Sequence, residues 1–217
     1  MQSENISDDQ SRVSFIEAAR RVQIVDCAVD AIAELGFAQA SLAQIATRAG
    51  VSTGVILYYF AGKEALIREV VAHVFAAGEA FIRPRVVNRG KPRPALEAFI
   101  EASIGFIAAH PNHPRAVMNI IRAGRAGGRP PLYDPAVEEP RRAGCRAILE
   151  WGRREGAFRP FDVDVMVDTL IEALDVVPPR LAAEPGLDLD AYARELVELF
   201  DRATRSDGID AEGSKAC

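Results

Sequence analysis

Few residues in this 217-residue chain have the types and spacing to do chemistry. Gly50-Val-Ser-Thr-Gly54 has the Gly-x-Ser-x-Gly spacing of a serine nucleophile. That motif works when a strand feeds a strained turn before a helix, so that the serine is thrust forward. The residues ahead of Ser52 read as helix, so the serine is better used as a cap. The three histidines, His73, His110 and His113, have no recognisable partner pattern. A serine esterase is therefore the lesser reading. His110 and His113 could form half a metal site on a helix, but Pro111 and Pro114 break that helix. Cys27, Cys145 and Cys217 are far apart and odd in number, which argues against a disulfide framework and for a reducing compartment. Arg122, Arg125 and Arg129 lie in or beside a Gly/Pro-rich stretch that reads as solvated loop. No glycine-rich phosphate loop is present. The expectation is a protein that is not an enzyme and uses no cofactor and no metal.

With 49% hydrophobic residues the chain can bury a sizeable core. No apolar run follows a basic start, and none reaches the roughly eighteen residues of a membrane span. A cytoplasmic protein with no membrane partner is expected. The net charge is −5, and residues 1–64 carry five Lys/Arg against eight Asp/Glu. Overall charge does not point to nucleic acid. Its distribution leaves the question open, since residues 38–63 contain two bases and no acid.

The elements that must position any site are helical. Phe15, Ala19, Val22, Val25, Val29 and Ile32 recur at three- and four-residue steps. Ser14 with Glu17 reads as the capping box of this first helix, and Gly36 as its end. Ser41-Leu-Ala-Gln44 is a second capping box, opening a helix to about residue 49. Gly50 turns the chain, and Ser52 caps a third helix that ends by Gly62. A longer helix from Lys63 is bounded by Pro84. Further helices fit roughly 94–109, 114–124, 136–155, 162–177 and 188–204, the penultimate one ended by Pro178-Pro179. No run alternates with a period of two, so strands are not expected.

Leu42, Ile45, Ala46, Val51, Ile56 and Phe60 form the apolar set of the segment from Gly36 to Leu66. The small Ala46 lets two short helices cross closely, and Gly50-Val51 turns between them. This is the logic of a helix-turn-helix. The string Ala49-Gly-Val-Ser52, Gly54, Tyr58-Tyr59-Phe60 and Lys63-Glu-Ala-Leu66 resembles the DNA-binding domain of the tetracycline-repressor (TetR) family without a gap. Ile24 to Phe37 is similar to that domain's first helix. The resemblance covers about fifty residues; beyond them it lies in helix order alone.

The resemblance implies an all-α fold of about nine helices, with a three-helix DNA-binding domain and a larger helical ligand-binding and dimerisation domain. The expected division is a disordered leader over 1–10, the helix-turn-helix domain over 11–62, the effector and dimerisation domain over 63–205, and a disordered tail over 206–217. Carried over by position, Ser41 caps its helix and touches a phosphate, and Gln44 lies near backbone or base edge. Ser52 caps the reading helix, whose Thr53, Gly54 and Val55 enter the major groove. Tyr58 and Tyr59 lie on sugar–phosphate, and Lys63 meets a phosphate. Thr53 stands where many members have Lys or Arg and cannot grip guanine with two hydrogen bonds. Leu57 replaces a tyrosine. The implied partners are an operator duplex, a second copy of the chain in a homodimer, and a small effector. Phe99, Phe106, Trp151 and Met166 are expected to line an effector cavity, which the polar-poor helices suggest takes an apolar or aromatic molecule. Leu170, Leu174, Tyr192, Leu196 and Leu199 are expected at the dimer interface. The function expected is a ligand-released repressor, with a helical protein-interaction module as the alternative.

Overall fold

The structure is a computed structural model that describes residues 4–126 and 132–206, with side chains over 15–124 and 132–206. Among the described residues it is all-α. The helices are α1 Glu4–Leu35, α2 Leu42–Ala49, α3 Thr53–Tyr59, α4 Lys63–Val86, α5 Pro92–Ala109, α6 Asn112–Ala126, α7 Glu139–Arg154, α8 Val163–Asp175, α9 Val177–Ala183 and α10 Leu189–Thr204. A 3-10 turn over Pro135–Glu138 leads into α7.

Several boundaries differ from the sequence reading; α4, for one, runs past Pro84 to Val86. α1 starts at Glu4, so Ser14 and Glu17 lie inside the helix and most of the expected leader is helical. No Gly or Pro interrupts residues 4–35. Pro178-Pro179 does end the penultimate helix, but it also occupies the first turn of the short α9, where the missing N–H groups have no helical partner to lose. The tail from residue 207 and the Gly/Pro stretch 127–131, with Arg129, lie outside the described residues.

The chain packs as two compact units, residues 1–76 with 111–137 and residues 77–110 with 138–217. The packing thus divides the chain elsewhere than at the 62/63 boundary drawn from the motif. In the first unit α1 lies against α2 and α6, burying Ile24, Ala28 and Ile32 with Ile45, Ile56, Leu66 and Ile120. Polar contacts fix the α6 register: Asn112 donates to Asp30 at 2.9 Å, and Asn119 to the Ile32 carbonyl at 2.9 Å. His73 on α4 meets Asp26 on α1 at 3.0 Å, and its ring lies 5.9 Å from that of His113.

In the second unit α5 is the central helix, packed against α7 and α10. Phe99, Ile100, Leu149, Leu170, Leu174 and Phe200 meet in one core. Three arginines of α7 pair with three aspartates of α8: Arg141 with Asp175 at 2.7 Å, Arg142 with Asp168, and Arg146 with Asp164. The turn after α7 is tied to the end of α10, where the Arg159 N–H donates to the Thr204 carbonyl at 3.0 Å.

Asp201 is the hub of a smaller network, paired with Arg93 from α5 and with Arg205 at 2.6 Å. The hydrogen bond from Arg205 and the nearby Arg93 charge hold its carboxyl below the ordinary aspartate range. A carboxyl with a depressed folded pKa stabilises the fold above its unfolded pKa, and that contribution disappears as pH falls through the folded value. Asp201→Asn should therefore melt below the wild type at neutral pH. The gap should close on acidification through and below the ordinary aspartate range, as read by melting curves taken at a series of pH values.

Candidate nucleic-acid interface

The helix-turn-helix is built from local rules. The Ser41 hydroxyl accepts from the Gln44 N–H at 3.3 Å, and the Gln44 side-chain oxygen accepts from the Ser41 N–H at 3.3 Å. This is the reciprocal capping box expected for α2. α2 ends at Gly50, whose φ of 65° and ψ of 33° place it in the left-handed region that a side chain resists. Ser52 then caps α3, its hydroxyl accepting from the Val55 N–H at 3.3 Å. α2 precedes that serine where an esterase would need a strand, and its hydroxyl is engaged as a cap.

α3 has seven residues, and Ile56 is its one fully buried side chain. Ile56 faces the core with Ile45 and Leu66, so the opposite side faces out. Tyr58 is 74% exposed and Leu57 51%. Gly54 is exposed, while Thr53, Val55 and Tyr59 are half-buried. The rings of Tyr58 and Tyr59 meet edge to face, 5.0 Å between centroids. Tyr58 is therefore available to a partner, whereas Tyr59 also packs against the core. Leu57, whose direction the sequence left open, faces solvent.

The two bases of this segment are both engaged within the chain. Arg48 on α2 pairs with Glu34 of α1 and lies 4.0 Å from Asp30. Lys63, at the start of α4, donates to the Phe37 carbonyl at 2.9 Å and sits 4.6 Å from the centre of the Phe37 ring. Burial pushes its pKa down. Lys63 thus ties α4 to the turn after α1. It was expected to meet phosphate, and its ammonium has two further protons for such a contact.

Two positioning residues were missed in the sequence. Arg21 of α1 donates to the Tyr59 carbonyl at 2.8 Å and to Glu69 of α4 at 2.8 Å, and lies over the Phe60 ring at 4.5 Å. One guanidinium thereby closes the C-terminal end of α3 against two other helices. Gln23 does a similar service for α2, donating to the Ala49 carbonyl at 3.3 Å. Their only sequence signal was polarity on a helix otherwise read for its apolar stripe.

In the second unit, Phe99 is buried in the core, with Trp151 and Met166 packed against the same core. The Trp151 indole N–H donates to Glu155 at 2.5 Å. Phe106 belongs to a separate aromatic group, with Phe81 at 5.8 Å and His110 at 5.1 Å between ring centres. The four residues expected around an effector are thus brought together only in part.

Of the residues expected at a dimer interface, three are used within the chain. Leu170 and Leu174 are fully buried within the chain, and Leu196 is 7% exposed. Apolar surface on two sides of α8 is consumed by α5, α7 and α9. Tyr192 is half-buried, and Leu199 is 58% exposed, as are Val165 and Val176 to a similar degree. No group of three or more His, Cys, Asp or Glu set to hold a metal occurs among the described residues. No helix among them is long and apolar enough to cross a membrane.

These features define an all-α chain that carries a helix-turn-helix with an outward-facing second helix. Residues 24–70 match the family model of bacterial regulatory proteins, tetR family. The HTH-type transcriptional regulator BetI of Escherichia coli (strain K12 / DH10B) is 36% identical over 92 residues, which are 42% of this chain and 45% of that regulator. The chain thus spans less than half the length of that curated relative. The fold extends further: the fatty acid degradation regulator FadR from Bacillus halodurans aligns with a TM-score of 0.73 at 22% identity, over 83% of this chain and 93% of that one. FadR from Bacillus subtilis, solved in complex with stearoyl-CoA, aligns with a TM-score of 0.68 at 20% identity, over 82% and 96%. Over residues 24–70 the chain is thus similar to the tetR family of regulators, and beyond them the likeness is one of fold.

Proposed function

We propose that the chain is a ligand-responsive transcriptional regulator that reads a duplex operator with α3. The observation that carries this reading is the outward face of α3, with Tyr58 three-quarters exposed on a helix anchored behind by Ile56. A capped helix of this kind fits the major groove, with Thr53, Gly54 and Val55 nearest the base edges and the N–H groups at the starts of α2 and α3 toward phosphate. Ser41, Gln44, Ser52, Tyr58, Tyr59 and Lys63 serve the backbone. Base reading rests on Thr53, which can hydrogen-bond or touch a thymine methyl.

The operative form in this reading is a homodimer on a pseudo-palindromic operator. Leu199, Val165 and Val176 are the apolar side chains of α8, α10 and the residue after α8 that remain outward for a second copy. The effector site belongs to the α5, α7 and α8 core. The apolar character of that core and the stearoyl-CoA of the Bacillus subtilis protein support an apolar or acyl-bearing effector. Binding there releases DNA if the effector prefers the state that does not fit the operator, since equal affinity for both shifts nothing. α4 begins in the first compact unit and ends in the second, which makes it the covalent route for that coupling.

The test is selection of duplexes from a random-sequence pool, followed by gel retardation against unrelated competitor. Retention of the selected duplex is expected, and Thr53→Ala should change which sequences are selected. Retention no better than that of competitor would sink the reading and leave a protein-interaction module in its place.

A further inference from the structure

Glu17 of α1 meets the outward face of α3. The Tyr58 hydroxyl donates to the Glu17 carboxylate at 3.3 Å, across 41 residues of sequence, and both side chains are exposed. A phenol has one proton, and here it points to an acid on a neighbouring helix. The Glu17 charge is also the first cause that pushes the Tyr58 hydroxyl above its ordinary pKa. This pairing has no role in holding the core, because Tyr58 is 74% exposed and α3 is already anchored by Ile56 and closed by Arg21.

The surroundings give the contact its weight. α3 contains no Lys or Arg, and the two bases between residues 38 and 63 already have partners in Glu34 and the Phe37 carbonyl. The Tyr58 hydroxyl is therefore a principal phosphate donor on the outward face of α3, and it sits beside a carboxylate.

We propose that Glu17 is a brake on DNA affinity: it holds the Tyr58 hydroxyl and sets a negative charge where a backbone phosphate approaches. A phosphate arriving at Tyr58 must first take the hydroxyl from Glu17, and then lie next to a like charge. Both effects act on every sequence equally, since neither involves a base edge. The brake lowers the sequence-independent part of the binding and leaves the discrimination by Thr53, Gly54 and Val55 as it is. It therefore sets the overall affinity of a weakly basic reading head, and with it the concentration at which unrelated DNA is occupied. The inference rests on α3 being the DNA-reading helix.

The experiment measures affinity of the full chain for two probes, a duplex selected by the wild type from a random pool and bulk duplex DNA of unrelated sequence. Glu17→Gln should bind both more tightly, by about five- to tenfold at low salt, with the gain shrinking as salt rises. The ratio between the two probes should stay the same. In a Tyr58→Phe background, Glu17→Gln should gain less, because the hydroxyl it would release is absent. An unchanged or weaker affinity of Glu17→Gln overturns the proposal, as does a gain of equal size in both backgrounds. If the wild type and Glu17→Gln both fail to prefer the selected duplex over bulk DNA, the DNA-reading assignment itself falls. If the wild type binds it selectively and Glu17→Gln gains nothing, only the brake falls.

Discussion

Gly152→Ala should lower the melting temperature of the second unit by roughly 6–12 °C, the equivalent of about 3 kcal/mol in a protein of this size. Gly152 is buried in the last turns of α7, and a Cβ there would lie 1.9 Å from one ring carbon of Phe158 and 2.2 Å from the next. Such distances cannot be absorbed by a small shift. The ring must leave, yet Phe158 is itself 3% exposed and part of the core that includes Leu149 and Phe200. Its backbone is also held, with the Phe158 N–H donating to the Gly152 carbonyl at 3.0 Å. The turn therefore lies tightly against the helix that precedes it, and only a residue without a side chain fits between them. Gly144 on the same helix is the internal comparison. It is exposed, and a Cβ there meets nothing within 4 Å. Gly144→Ala should stabilise by about 0.5–1 kcal/mol, because alanine loses less backbone freedom in a helix. Pairing Gly152→Ala with Phe158→Leu should recover part of the loss by making room. Equal melting temperatures for Gly152→Ala and the wild type would show that the ring is not where the structure puts it.

That glycine illustrates what a sequence conceals. Gly36 was readable as a break because it ends a periodic run, and Gly50 because a capping box precedes it and a capped helix follows. Both signals are local, and the capping box of α2 and the turn after it were legible for the same reason. The need for glycine at position 152 arises from an aromatic ring six residues on, folded back by a turn, and no periodicity reports it. The α7–α8 pairs are similar. Nothing in the sequence around Arg141, Arg142 and Arg146 announces a partner, and it is the fold that brings Asp175, Asp168 and Asp164 of α8 opposite them.

Two differences from the sequence reading share a cause. Leu170 and Leu174 were assigned to a second copy of the chain, but a helix that touches α5, α7 and α9 spends such residues on its own core. Likewise, the 62/63 boundary followed the motif. It missed α6 because that helix returns to α1 through Ala116, Ile120, Asn112 and Asn119, residues whose partners lie about eighty to ninety positions earlier. A helix-turn-helix of three short elements is marginal alone, so some buttress was required. The structure supplies it in α6, packed against α1.

The same marginality makes Ile56 the most sensitive residue of the reading head. An isolated helix of seven residues has no stability of its own in water, so α3 exists because something fastens it to α1, α2 and α4. Ile56 is that fastening, being fully buried among Ile45, Leu66 and their neighbours, while the side chains next to it in sequence are half-buried or exposed. Ile56→Ala should destabilise the first unit by about 2–5 kcal/mol, from lost burial together with the cavity left behind. The consequence for DNA should exceed the loss in folded population, since Tyr58 and Thr53 are presented only while α3 is formed. Amide hydrogen exchange separates the two effects. In Ile56→Ala, the amides of α3 should exchange faster than those of α1 under conditions where most of the protein remains folded. Leu57→Ala removes a side chain of the same size one position along, but one that is 51% exposed, so its stability should stay within about 0.5 kcal/mol of the wild type. If the two substitutions were equally harmful to stability, Ile56 would not be the anchor. The orientation of α3, and with it the face that reads DNA, would then have to be assigned afresh.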